Sequence, residues 1–186
     1  MAINDREQAA RRAEASTTNE PNGCQAWTRG IFNAPSVGDF DGDGRADAED
    51  GWKSEPVKYR HPGDRNPPRG VPVSYLGGSH DDGHRAISLG NGMIRSTDAG
   101  GRGRIATVRL DWPERVWGLK YAGWSETIDG QLIPLPAPPA KAAPLPPTRL
   151  SRARALLRAA LAAAKRKGNA RRARRIQDAL DNAPER

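Results

Sequence analysis

A proline-rich run from residue 131 to residue 147 divides the chain. It holds seven prolines in seventeen residues (QLIPLPAPPAKAAPLPP). Proline lacks a backbone N–H and favours an extended, polyproline-like chain, so this run predicts a semi-rigid linker that cannot form a core. We therefore expect a folded domain before the linker and a separate segment, residues 148–186, after it.

The aromatic residues indicate where the core lies. All ten fall between residues 27 and 124, and aromatic side chains dominate the area that cores bury. Before them, residues 4–16 (NDREQAARRAEAS) predict a short polar helix, with Asn4 or Asp5 as its N-cap, within an N-terminal segment of residues 1–19. The first residues are too polar for a signal peptide, and no apolar run is long enough to span a membrane.

The positive charge of the chain belongs to its last segment. Residues 148–186 carry twelve Lys and Arg against three Asp and Glu, a net charge of +9. The whole chain carries +8, so residues 1–147 carry about −1. Runs rich in Ala, Leu and Arg predict two helices, 149–167 and 170–181, on either side of Gly168 and Asn169. This segment therefore reads as a basic helical hairpin without an aromatic core residue.

Cys24 is the only cysteine of the chain and a candidate nucleophile. It follows the turn pair Asn22-Gly23 and precedes QAWTR, which favours a helix. A thiol at a helix N-terminus gains from the helix dipole, which lowers its pKa. The alternative is a small buried hydrophobic residue without chemistry, the commonest role of a free cysteine.

Residues 39–50 (DFDGDGRADAED) have the spacing of a calcium-binding loop. Acidic side chains occupy loop positions 1, 3, 5, 9 and 12, namely Asp39, Asp41, Asp43, Asp47 and Asp50. Gly44 stands at the turn position, and Arg45 would offer its backbone carbonyl. The pattern predicts a structural Ca²⁺, although EF-hand loops have Glu where this chain has Asp50. The alternative is a solvated acidic loop.

The second half of the domain has the pattern of an antiparallel sheet. Alternation predicts strands at 70–76, 84–89, 93–97 and 104–110, and a fifth within 117–124. Gly90-Asn91-Gly92 predicts a hairpin turn between the second and third of these. Together with the helix at Cys24, the fold class is α+β.

Cys24 and His84 together suggest a cysteine hydrolase. His84 opens an apolar strand and would take the thiol proton, and a third polar group would orient its ring. The hairpin brings the region of Ser96 and Asp98 opposite His84; Asp98 is the better orienter because a carboxylate accepts from an imidazole N–H, although either could serve. His61 and His80 are alternatives that do not open an apolar strand.

Residues 20–130 resemble a known family. The resemblance rests on CQAW, PPRGVPVSYLGGS, GHRAISLGNG, RSTDAGGRGRIATV, the DxDGDGxADxxD loop and WGLKYAGWSETIDG. These pieces look like the CHAP and NlpC-type papain-like cysteine peptidoglycan hydrolases of actinobacteriophage lysins. The resemblance implies N-terminal helices on an antiparallel sheet, with Cys24 as nucleophile and His84 as base. The NlpC-type pattern often has His where Ser96 stands, so Asp98 remains an inference from geometry.

The resemblance implies a bacteriophage peptidoglycan hydrolase, either an endolysin or a virion-associated tail lysin. It would act as an amidase or endopeptidase on bacterial peptidoglycan, reaching the wall from the host cytoplasm or from the virion tail. The basic tail would contact anionic wall polymers or other virion proteins. Nucleic acid is not expected, because no base-reading motif accompanies the charge. The rival hypothesis is a structural tail protein or wall-binding protein on the same fold, without activity.

Overall fold

The computed structural model describes residues 2–136 and 149–182. The chain forms two compact units, Met1–Ala137 and Pro138–Arg186. The predicted linker lies from residue 137 onward outside the described residues.

The first unit is a mixed α+β domain. Its helices are α1 (Arg6–Ala15), α2 (Cys24–Phe32), α3 (Ala48–Lys53) and α4 (Trp112–Trp117). Its strands are β1 (Arg60–Pro62), β2 (Pro72–Leu76), β3 (His84–Gly90), β4 (Met93–Thr97), β5 (Ile105–Arg109), β6 (Lys120–Ser125), β7 (Thr127–Ile128) and β8 (Gln131–Leu132). Six strands form an antiparallel sheet in the order β1-β6-β2-β3-β4-β5, and β7 pairs with β8. The predicted combination of helices with an antiparallel sheet is confirmed.

Four of the predicted strands are present as β2 to β5, and Asn91-Gly92 turns the chain between β3 and β4. The fifth strand begins only at Lys120, because the residues before it form α4. Pro113 suits the first turn of that helix, and Gly118 ends it in the left-handed region at a φ of 67°. Strand β1, in the run rich in proline and glycine, was not expected; it lies at the edge of the sheet, where a proline is tolerated.

Two apolar clusters hold the domain together. Ala86 belongs to one cluster and its neighbour Ile87 to the other, and successive strand residues point to opposite faces. The clusters therefore lie on the two faces of the sheet. The cluster around Ile87 includes residues of α1 and α2, and both helices pack against β3. Strand β3 thus provides the surface against which α1 and α2 pack, and these helices position the site.

Both ends of this unit differ from the expected boundaries. The N-cap of α1 is Asp5, as predicted, with a capping box to Gln8. Ala9 and Ala13 are fully buried in the cluster shared with α2, so α1 is part of the core rather than a separate segment. At the other end, β8 and the buried Ile133 place the start of the predicted linker within the folded unit.

The second unit contains two helices, α5 (Arg149–Arg166) and α6 (Ala170–Asp181), which pack against each other. The predicted apolar stripe of α6 is its less exposed side, formed by Ala173, Ile176 and Leu180. The arginines of α6 are exposed. In neither described part of the chain is there a helix with the length and hydrophobicity needed to cross a membrane.

Candidate active site

A cavity of about 690 Å³ opens where α2 and β3 begin, and we call it the Cys24 cavity. Its lining brings together three of the predicted site residues, Cys24, His84 and Asp98. The acidic loop contributes a wall from Arg45 to Ala48. Residues 60 positions apart in the chain therefore face one space large enough for a short peptide segment.

Cys24 is the first residue of α2, as predicted, and its side chain is buried, with 8% of the residue exposed. Burial raises the pKa of the thiol, because the thiolate loses hydration. Hydrogen bonding from the backbone amides of Arg85 and Gln25 lowers the pKa and offsets part of this effect. The resting thiol is therefore protonated near neutral pH.

His84 opens β3 and is buried. Its Nε2 lies 2.9 Å from the Oγ of Ser96. The Ser96 hydroxyl also donates to the carbonyl oxygen of Thr97 at 3.2 Å. A hydroxyl has one proton, so with that proton on Thr97 the Oγ accepts from Nε2–H. This assignment leaves a lone pair on Nδ1 of His84, which is what a general base requires.

Burial lowers the pKa of His84 to about 4, because the imidazolium would lose its hydration. The imidazole is therefore neutral in the resting protein. In the described part of the chain, no hydrogen bond joins the sulfur of Cys24 to the ring. When the thiol and the imidazole are both neutral, the thiol proton passes to the imidazole during the attack on substrate rather than before it. Hydrogen bonds between catalytic groups often shorten only when substrate binds.

Asp98, the predicted orienter, binds backbone rather than the ring of His84. Its carboxylate accepts from the N–H of Asn22 at 3.2 Å and from the N–H of Gly103 at 2.6 Å. Of the two orienters left open by the sequence, Ser96 is the one that contacts the ring. Asp98 instead fixes the turn that precedes Cys24.

The other histidines lie elsewhere. The ring of His61 stacks on Trp124 with a centroid separation of 3.6 Å, and its Nε2 lies 2.9 Å from Glu126. His80 is exposed in a short 3-10 turn and does not line the cavity. The cavity therefore singles out His84 among the three histidines of the chain.

The acidic loop brings three of its five predicted carboxylate ligands together. Ligand oxygens of Asp39, Asp41 and Asp43 lie within 4.8 Å of one another. Oxygen-rich clusters of this kind suit a hard cation such as Ca²⁺. The Asp41 carboxylate is also neutralised by the ammonium of Lys53 at 2.7 Å, which a cation would have to displace or share.

The remaining two predicted ligands serve α3. Asp47 is its N-cap and accepts from the N–H groups of Glu49 and Asp50. Asp50 is buried and accepts from the N–H groups of Phe40, Asp41 and Asp47. These two carboxylates therefore organise the loop backbone around the cluster of three.

The acidic loop is joined to the segment that leads into His84. Arg45 Nη1 lies 2.6 Å from the carboxylate of Asp82, whereas the sequence assigned Arg45 only a backbone carbonyl ligand. The N–H groups of Ala48 and Glu49 both donate to the carbonyl oxygen of Asp82 at 3.1 Å. Asp82 is two residues before His84, so the loop and the candidate base share one anchor.

Sequence reasoning missed Trp117. Its ring lines the cavity and meets the ring of His84 edge to face, with centroids 4.9 Å apart. The aromatic ring shields His84 from water and contributes to its lowered pKa through burial. The sequence did not indicate this role of Trp117, because the segment WPERVW was not predicted to form a helix.

Comparison with known proteins found no match of this chain to any family model, curated protein or solved structure. The chemistry of the site therefore rests on its own geometry, together with the short motifs in the sequence.

Proposed function

We propose that the first unit is a cysteine-dependent peptidoglycan hydrolase, an amidase or endopeptidase of papain-like arrangement. The observation that carries the proposal is the shared cavity, with Cys24 at the N-terminus of α2 and His84 at the start of β3. The contact of Ser96 with the far nitrogen of the ring completes an orienting interaction. The resemblance of residues 20–130 to phage lysins supplies the substrate class.

The chemistry follows from the positions of these groups. Nδ1 of His84 accepts the thiol proton while the sulfur of Cys24 attacks a peptide carbonyl carbon. The N–H of Cys24 opens α2 and has no partner in the helix ladder, so it is suited to stabilise the oxyanion. His84 then protonates the leaving amine, and water hydrolyses the thioester.

The biological setting is part of the same proposal. We infer a phage-encoded lysin, either an endolysin released from the host cytoplasm or a tail lysin in the virion. Ca²⁺ would be held by Asp39, Asp41 and Asp43, whose convergent oxygens fit a cation of this kind. The exposed arginines of α6 would contact anionic wall polymers or acidic surfaces of other virion proteins.

A non-catalytic wall-binding or tail protein is the second candidate. The observation that favours it is the resting state of the site, with a buried, protonated thiol and no hydrogen bond between Cys24 and His84 among the described residues. Such a cysteine would be an inert core residue.

Release of muropeptides from purified actinobacterial peptidoglycan, followed by mass spectrometry in the presence of calcium, separates the two candidates. We expect products from wild type and none from Cys24→Ala or His84→Ala. His80→Ala is the matched control, since His80 lies outside the cavity, and it should retain activity. Absence of products from folded wild type would support the non-catalytic candidate.

A further inference from the structure

A buried charged network lies directly behind the Cys24 cavity. The side chain of Arg85 is fully buried, and so are those of its partners Glu55 and Asp129. Its Nη2 lies 2.6 Å from Glu55 Oε1, and its Nη1 lies 2.7 Å from Asp129 Oδ1. Burying three ionisable side chains is costly, and well-packed apolar residues often serve stability as well or better. A role beyond stability is therefore expected.

Glu55 anchors the network to the backbone of another segment. Its Oε1 also accepts from the N–H of Asp129 at 2.9 Å, and its Oε2 accepts from the N–H of Gly130 at 3.1 Å. Every carboxylate oxygen of Glu55 is therefore occupied. Among the described residues the Nε of Arg85 has no hydrogen-bond partner, so the geometry of the network is fixed by the two terminal nitrogens of Arg85 and the carboxylates that they contact.

Gln25 extends the network to the helix of Cys24. Its amide nitrogen donates to the two carboxylate oxygens of Asp129 at 3.0 and 3.1 Å, and its amide oxygen accepts from Arg85 at 3.4 Å. Gln25 follows Cys24 in the chain, and Arg85 follows His84. The residues behind the candidate nucleophile and the candidate base are thus joined to each other.

We propose that Arg85 is a positioning residue, which fixes the Cys24 thiol relative to the His84 ring through Gln25 and Asp129. It does so without touching the reacting atoms. The backbone amides of Arg85 and Gln25 also lower the pKa of the thiol, so movement of either residue changes the environment of the sulfur. The consequence for turnover rests on the proposed function, but the positioning is measurable on the thiol alone.

Gln25→Met tests the proposal without leaving Arg85 unpaired, because Glu55 and Asp129 remain. Thr28→Val is the matched control, since Thr28 lies on the same helix, is fully buried, and its hydroxyl has no hydrogen-bond partner among the described residues. The readout is the rate at which iodoacetamide alkylates Cys24, the sole cysteine, across neutral and alkaline pH, together with kcat and KM for a soluble muropeptide.

For Gln25→Met we expect the alkylation profile to move to higher pH by about half a unit, because the loss of the Gln25 side-chain hydrogen bonds lets the backbone amides of residues 25 and 85 shift relative to the sulfur. We also expect kcat to fall about tenfold at nearly constant KM, the pattern of lost transition-state stabilisation. Thr28→Val should leave the profile in place. A purely structural role would lower the melting temperature of either variant without moving the profile.

An unmoved profile in Gln25→Met, or equal shifts in Gln25→Met and Thr28→Val, would overturn the positioning role. Should Gln25→Met fail to fold, Gln25→Asn keeps the amide but shortens its reach, and the same shift is expected. Wild type that releases no muropeptides would contradict the hydrolase proposal, while the alkylation profiles would still decide the positioning role.

Discussion

Asp98 hydrogen-bonds to the backbone of Asn22, two residues before Cys24, with its Oδ2 3.2 Å from the amide nitrogen. This carboxylate, which lines the Cys24 cavity, therefore shapes the turn that starts α2, whereas Ser96 contacts the ring of His84. These separate roles predict different effects of substitution.

Ser96→Ala should lower kcat for muropeptide release by roughly fivefold, because a lost hydrogen bond of about 1 kcal/mol no longer fixes the tautomer of His84. Its melting temperature should fall by only a few degrees, because one buried hydrogen bond is lost. Asp98→Ala should lower the melting temperature further, since the N–H groups of Asn22 and Gly103 both lose their acceptor. Equal kcat of Ser96→Ala and wild type would contradict the assigned role of Ser96.

Stability should depend on pH through His84. Its pKa is lowered in the folded protein to about 4 from an ordinary value of 6.5. Between these values the unfolded state binds more protons than the folded state. The contribution of His84 to the free energy of unfolding is therefore fully present above pH 6.5 and is lost as the pH falls toward 4. The full loss is about 3 kcal/mol. Urea unfolding across this range should show the slope in wild type and a smaller slope in His84→Gln.

Gly51 and Gly30 should respond oppositely to alanine. A Cβ on Gly51 would lie 2.5 Å from Nη1 of Arg85 and 2.6 Å from the amide oxygen of Gln25, within the buried network. Gly51→Ala should therefore destabilise by roughly 1–3 kcal/mol. In the described part of the chain, nothing beyond the neighbouring residues and backbone of α2 lies within 4 Å of a Cβ on Gly30, which is in that helix. Gly30→Ala should stabilise by about 0.5–1 kcal/mol, measured by urea unfolding.

Calcium should raise the melting temperature, and a chelator should reverse the rise. A ligand at one hundred times its Kd stabilises the folded state by about 2.7 kcal/mol. Asp39→Asn combined with Asp43→Asn should abolish the response, because two of the three convergent carboxylates are lost. Glu20→Gln, a charge change outside the loop, should retain it. If calcium leaves the melting temperature of wild type unchanged, the calcium site is ruled out.

Removal of residues 148–186 should weaken binding to purified cell walls, because the segment carries a net charge of +9. The loss should be greatest at low salt, where charges are least screened. Replacing Arg171, Arg172, Arg174 and Arg175 by glutamine should reproduce much of this loss of wall binding. Cleavage of soluble muropeptides should be unchanged. Wall binding by the truncated protein that matches the full chain at low salt would contradict this role.

The local pattern of the sequence predicted much of this fold. Alternation gave β2 to β5, and the Asn22-Gly23 turn placed the start of α2 at Cys24. These features depend on neighbouring residues, so one sequence suffices to predict them. Helix α4 was missed because the short run WPERVW gives no clear period, and its Pro113 and Gly118 signals are weak by themselves.

The contacts around the site were less predictable, because they join distant segments. Arg85 lies on the same face of β3 as the buried Ile87, and this position alone signals a buried ion pair. Its partners Glu55 and Asp129 stand 30 and 44 residues away, and nothing in their local pattern marks them. The choice between Ser96 and Asp98 likewise depended on how the turn before Cys24 packs.

The shared anchor at Asp82 makes the acidic loop a natural place for redesign. The acidic loop forms one wall of the Cys24 cavity. Backbone N–H groups of the loop and the side chain of Arg45 both contact Asp82. Loops of other lengths or compositions grafted ahead of Ala48 would reshape the opening, while the sheet and its buried charges stay as they are. On the proposed function, selectivity for bulky or slender substrates would be adjustable separately from Cys24 and His84.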